Sequence, residues 1–245
     1  MDKEWYFIGL WLGDGSKEST SITSADNEII QYLKELSLRY NLNFSTYRKT
    51  PNSKALEVNL GHPISYTRSI CQYTLNGHFL KQYNSLKQAA NETGIVASSI
   101  SHNALGKYKH AGGYIWKYGD KLYYNALRQQ LKELKLINNK HIPVELFSQS
   151  DENKKLFLAG LIDSDGTKNY QTISITQKDQ DIILNLNKLC QSLGYATKIK
   201  SSLINGNPYY KLIIKGDLRD IPILLPRKRP TKISRFTKPK IKPCK

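Results

Sequence analysis

Apolar side chains recur at Ile29, Ile30, Leu33 and Leu36, and again at Ile182, Ile183, Leu186 and Leu189. The 3.6-residue spacing predicts two amphipathic helices, each with one core-facing stripe. A short β-branched segment precedes each helix, at 21–23 and at 174–176. Before that lies an apolar run of helical length, FIGLWLGDGS at 7–16 and FLAGLIDSDGT at 157–167. Both runs stop at an Asp-Gly step. Strand-like segments follow both amphipathic helices: NFSTYRKT with ALEVNLG in the first copy, ATKIKSS with YKLIIKG in the second. NGNP at 205–208 predicts a tight turn between the second pair. Alternation of apolar residues with Lys, Arg, Thr and Ser predicts a half-buried sheet with one basic face. Each half thus reads helix, strand, helix, strands, and the chain is an internal repeat.

Asp14 and Asp165 hold the same phase of that repeat but lie 151 residues apart. The excess is 69–119, a stretch of 51 residues with no counterpart in the second half. Within it, ICQYTLNGHFLKQY predicts two strands about an Asn-Gly turn. SLKQAANETG predicts a short helix capped by serine and ended by Gly94, and IVASSISHNALG predicts a second. Two short helices across a tight turn form a helix-turn-helix. The second helix would present Ser98, Ser99, Ser101, His102 and Asn103 to base edges or phosphates, with Lys107, Lys109 and His110 placed for backbone contact. A small structural subdomain with a polar surface is the alternative reading.

Charge sharpens the picture. The chain carries 37 Lys and Arg against 20 Asp and Glu, a formal net charge of +17. Such an excess points to a polyanionic partner, nucleic acid first. The last 20 residues hold nine Lys or Arg and four Pro, and read as an extended basic tail following phosphates. Cys71, Cys190 and Cys244 are few and scattered, with no C-x-x-C pair, so neither a zinc site nor a disulfide framework is indicated. The N-terminus has no secretory pattern, and no apolar run is long enough for a bilayer. The expectation is an intracellular protein (nucleus, organelle and cytoplasm undistinguished) that engages no membrane.

The acids raise the chemical question, because a helix C-terminus disfavours negative charge. Small residues stand four apart in both apolar helices, Gly9 with Gly13 and Gly160 with Ser164. Residues at that spacing share a face, and small ones let two helix backbones approach. If the helices pack side by side and parallel, Asp14 and Asp165 meet at one end. Two carboxylates there repel unless a cation intervenes, and Mg²⁺ is a hard cation that prefers oxygen ligands and shares substrate phosphates.

These two motifs resemble the paired LAGLIDADG signatures of homing endonucleases, the second departing from that name only at Ser164. The insert resembles the nuclease-associated modular DNA-binding domain, and LRQQLKELKLINNKHIP before the second motif resembles the join in the intein-type branch. The resemblance implies an α+β fold, a pseudo-two-fold pair of αββαββα halves, with an inserted ββ-helix-turn-helix module. It divides the chain into 1–68, the first part of the first half; 69–120, the inserted module; 121–150, the remainder of that half and a linker; 151–225, the second half; and 226–245, the tail. It implies a monomer on double-stranded DNA, cutting both strands with Mg²⁺ and leaving short 3′ overhangs. Mn²⁺ would substitute, and Ca²⁺ would bind without cleavage. By motif position the metal acids are Asp14 and Asp165, with Gly13 and Ser164 beside them; Asp163 matches an acid that is usually structural. Gln177 and Lys178 match a Gln-Lys pair near the active site, Lys168 matches a further lysine, and Lys17 is its counterpart in the first half. Ser24 and Ala25 stand where the first half would carry Gln and Lys, so the half-sites are expected to differ. Contacts to DNA are expected from Tyr47, Arg48 and Lys49, from Lys198, Lys200, Lys211 and Lys215, and from Arg227, Lys228 and Arg229.

Two other readings compete. A non-cleaving nucleic-acid-binding protein of the same fold, an intron-RNA maturase or a regulator, would keep the basic surface; the presence of both acids favours the nuclease. As given, the chain is not expected to splice as an intein, because it lacks an N-terminal Cys or Ser and a C-terminal His-Asn; the nuclease part of a larger intein, or a freed descendant of one, stays open.

Overall fold

A computed structural model describes residues 3–48, 50–63, 68–119 and 125–233. The fold is mixed α+β, with antiparallel sheets. It divides into one unit of residues 1–39, 44–61 and 126–245, and a second of residues 40–43 and 62–125. No described helix is long and apolar enough to cross a membrane.

In the first unit, α1 (Trp5–Asp14) and α6 (Asp151–Asp165) form the central pair. Both are apolar around much of their circumference; Phe7, Ile8, Phe157 and Leu158 are fully buried. A helix buried on several sides belongs in the middle of a core rather than on its surface. Ser150 caps the start of α6 by accepting from Asn153 N. The halves then run in parallel fashion. After α1 come β1 (Ile22–Ser24), α2 (Asn27–Arg39), β2 (Leu42–Tyr47) and β3 (Leu56–Pro63). After α6 come β7 (Gly166–Asn169), β8 (Thr172–Gln177), α7 (Gln180–Ser192), β9 (Ala196–Ile204) and β10 (Asn207–Lys215). Sheet order is β1-β3-β2 in the first half and β7-β8-β10-β9 in the second. The shared order supports the expected repeat, with one difference. Where the second half has β7, the first has only an isolated bridge, Gly15 with Ile22, matching Gly166 with Ile175. A short helix, α5 (Ala126–Glu133), and a 3-10 turn (Val144–Ser148) complete the first half. The expected closing helix of the second half is not found among the described residues; a 3-10 turn, Pro226–Lys228, stands there.

The second unit contains β4 (Ile70–Tyr73), β5 (Phe79–Tyr83), α3 (Leu86–Thr93), α4 (Ala97–Ala104) and β6 (Ile115–Tyr118). Ser85 caps α3 by accepting from Gln88 N, and Gly94 ends it in the left-handed region at φ 70°. The sheet order is β5-β4-β6, and β6 is a strand that the sequence pattern did not single out. Its Trp116 packs with Ile70, Tyr83, Ala89, Ile100 and Ala111 into a small core of its own.

Candidate active site

The central helices touch through their glycines. A Cβ on Gly9 would run into Phe157 O, and one on Gly160 would run into Tyr6 O. One on Gly13 would strike Ser164 Oγ and come within 3.0 Å of Asp165 Oδ2. Contacts advance along both helices in the same direction, so the pair is parallel and both C-termini lie at one end. Gly15 and Gly166 just beyond are extended, at φ −77° and −75°, not left-handed. They are glycine for lack of room: a Cβ on Gly166 would sit 2.6 Å from Ile162 O.

Asp14 and Asp165 are the last residues of these helices. Burial, then the charge of Asp165, pushes the Asp14 carboxyl up to about 6, against the pull of Lys228 and Lys140. Burial also raises Asp165, opposed by a hydrogen bond from Gln177 and by the same two lysines. Two acids that hold their protons too tightly, each raised partly or wholly by lost hydration, fit a divalent cation taken with shared carboxylate oxygens. Backbone carbonyls of Gly13 and Ser164 stand beside them, each already accepting from a lysine.

Those lysines are Lys140 and Lys228. Lys140 Nζ donates to Gly13 O at 3.1 Å and lies 5.1 Å from the Trp11 ring centroid. Lys228 Nζ donates to Ile162 O, Asp163 O and Ser164 O at 2.9, 2.8 and 3.0 Å. Each ammonium caps the C-terminus of one central helix, where orphan carbonyls and the dipole attract a cation. Burial lowers the pKa of both. Lys228 spends all three of its donors on the helix end; Lys140 spends one on Gly13.

Several expectations change here. Lys228 is 9% exposed and faces the protein interior, so it is not a DNA contact. Arg229 donates to Ile223 O and Leu224 O, and Arg227 to Asp26. The start of the basic tail is thus seated on the core, because a buried helix end needs a cation. Lys49 and residues 234–245, including Cys244, lie outside the described residues. Asp163 is buried and structural: it accepts from Tyr6 OH, Leu224 N and Leu225 N.

Gln177 and Lys178 part company. Gln177 donates to Asp165 Oδ2. Lys178 turns the other way, its Nζ 5.4 Å from the Tyr209 ring centroid. Successive residues at a strand end point to opposite faces, so one can reach the acids and the next cannot. Lys168 donates to Arg229 O rather than to an acid. Lys17 is exposed, its carbonyl tied to Asn138 N. In the first half, Ser24 makes no bond to Asp14; its Oγ accepts from Asp26 N.

The same alternation builds a basic sheet face. Lys211 pairs with Lys200, Ile213 with Lys198 and Lys215 with Ala196, so Lys198, Lys200, Lys211 and Lys215 share one face of β9 and β10. Leu212 and Ile214 line the other, buried in the core. Tyr47 and Arg48 are exposed at the end of β2. In the second unit Ser98, Lys107 and Lys109 are exposed, while Ser99 and His102 are half-buried and Ser101 bonds Tyr118 OH. Asn103 is a correction: it is 7% exposed, donating to Tyr108 O and accepting from Trp116 N. It ties the loop that bears Lys107 and Lys109 to the core instead of reading DNA.

Known proteins share parts of this chain. An uncharacterised HNH endonuclease of Acanthamoeba polyphaga mimivirus is 29% identical over 153 residues, 61% of this chain and 42% of that protein. The replicative DNA helicase DnaB of Mycobacterium intracellulare is 30% identical over 82 residues, 33% of this chain and 14% of that one. The chain therefore spans less than half the length of these curated relatives. A crystal structure of I-DmoI with DNA and Mn superposes over 86% of this chain and 88% of that one, at 14% identity and a TM-score of 0.42. The fold as described rests on its own topology. Two segments match family models: residues 68–104 match the NUMOD1 domain, and residues 141–211, which carry the second helix motif and most of its sheet, match the homing endonuclease model.

Proposed function

We propose that the chain is a site-specific homing endonuclease that hydrolyses both strands of a long, asymmetric DNA duplex. It acts as a monomer, because both half-sites lie within one chain, and leaves short 3′ overhangs. The observation that carries this reading is the meeting of Asp14 and Asp165 at one end of two parallel helices whose glycines bring the backbones into contact.

Asp14 and Asp165 would hold Mg²⁺, with Mn²⁺ able to substitute and Ca²⁺ binding without cleavage. Bound there, the metal supplies charge stabilisation at the phosphoryl oxygens and a more acidic water. The chain's own residues do the rest. Gln177 orients Asp165 through its amide. Lys140 keeps donors beyond the one given to Gly13, and in this reading it would meet the scissile phosphate. Lys228 acts through its charge alone, its three donors being committed to α6. Lys198, Lys200, Lys211 and Lys215 follow the duplex with one sheet face, while Ser98, Lys107 and Lys109 extend the interface through the second unit. Lys17, Lys168 and Lys178 serve as phosphate contacts rather than as partners of the acids.

Asp14→Asn or Asp165→Asn should abolish cleavage of any duplex the parent cuts, with gel-shift affinity changed by less than about three-fold. Cutting by both variants at the parental rate would remove the acids from the mechanism. Binding without cutting by the parent in Mg²⁺ would favour the maturase or regulator reading.

A further inference from the structure

The segment 223–230 is held to the core by an unusual concentration of charged contacts. Asp163 accepts from Leu224 N and Leu225 N, Lys228 caps α6, and Lys168 donates to Arg229 O. All of these contacts attach the segment to the second half of the repeat. Arg227 reaches the first half: its Nη2 meets both carboxylate oxygens of Asp26, at 2.8 and 2.6 Å.

The repeat shows what Asp26 has given up. Its counterpart, Asp179, caps α7 by accepting from Asp181 N and Ile182 N. Such a cap is worth roughly 1 kcal/mol. Asp26 stands at the same position before α2, yet both of its oxygens turn to Arg227. An exposed ion pair contributes little stability, so the exchange of cap for pair calls for another reason. Arg227 adjoins Lys228, whose ammonium sits at the shared end of the two helices.

We propose that Asp26 is a positioning residue. Through Arg227 it holds the segment 225–229 from the first half, and so fixes the charge of Lys228 on the end of α6, where the acids lie. The inference rests on the nuclease reading for its rate effect, but not for its geometry.

The test has an arm for each. Amine acylation with an N-hydroxysuccinimide ester, read by mass spectrometry, measures Lys228 access without any substrate. Parent Lys228 should be protected, and Asp26→Asn should acylate it roughly ten-fold faster, with Tm within about 2 °C of the parent. The charge-swapped double variant Asp26→Arg with Arg227→Asp should restore protection. On a duplex the parent cuts, Asp26→Asn should slow single-turnover cleavage about ten-fold at saturating protein while affinity in Ca²⁺ is kept, and the swap should recover most of the rate. Unchanged acylation in Asp26→Asn overturns the proposal, as does a swap no better than either single variant. Tighter DNA binding by Asp26→Asn with an unchanged rate would also overturn it, making Arg227 a phosphate ligand that Asp26 screens. A parent that never cuts, but whose Lys228 responds as described, would defeat the nuclease reading and leave the positioning role standing.

Discussion

Asp14 and Asp165 stand at helix ends, where the dipole disfavours a carboxylate, although Asp14 keeps an exposed edge and Asp165 is half-buried. For Asp14 the carboxyl is pushed up to about 6, by burial first and by Asp165 second. The sign for stability follows. An acid whose folded pKa is raised holds its proton more tightly in the folded state, so ionisation costs stability. That penalty is absent below the ordinary carboxylate range, grows through about pH 6, and is complete above it. Asp14→Asn should therefore raise Tm at neutral pH without divalent metal. Asp14 keeps contact with solvent, so screening leaves a gain on the order of 1 kcal/mol. Thermal unfolding should show that gain vanish near pH 4 and shrink in the presence of Mg²⁺, which stabilises only the parent. A variant no more stable than the parent at neutral pH would contradict the electrostatic account. The acids themselves were legible in the sequence, because the motif occurs twice in phase. Lys140 was not: it lies 127 residues from the Gly13 carbonyl it binds, and only the fold joins them. Lys228 stands in the open in the sequence, but its role does not, since a lysine in a Pro-rich tail looks the same whether it follows phosphates or caps a buried helix.

At the scale of elements, everything depends on the close approach of α1 and α6. Their small residues were the legible signal, and the glycines prove to abut backbone atoms that cannot yield. Gly160→Val should destabilise the protein by about 3 kcal/mol or more in urea unfolding, because its Cβ has nowhere to go but into Tyr6 O. Gly94→Ala, at an open helix end with φ 70°, should cost about 1 kcal/mol. Comparable losses at the two positions would deny the helix contact its special place. Periodicity also placed α2, α7 and the β9–β10 hairpin, where apolar stripes and an Asn-Gly turn leave little choice. It did not place β7, because Gly-Thr-Lys-Asn has no apolar alternation and becomes a strand only by pairing with β8. Nor did it separate Gln177 from Lys178, neighbours in sequence that the strand sends to opposite faces.

For the whole molecule, the second unit has its own core around Trp116 and its own exposed basic loop, so it should be separable from the cleavage chemistry. Deleting 69–119 should weaken duplex binding and shorten the footprint while leaving thermal unfolding of the remaining chain cooperative. A footprint of unchanged length would mean that the unit does not touch DNA. If two acidic helix ends in one chain cut both strands of a specific duplex, a cleavage selection from a randomised duplex pool should recover, in Mg²⁺ but not in a Ca²⁺ control, one long, asymmetric site bearing short 3′ overhangs. Equal recovery in Ca²⁺, or ends scattered without a common site, would rule out such a nuclease.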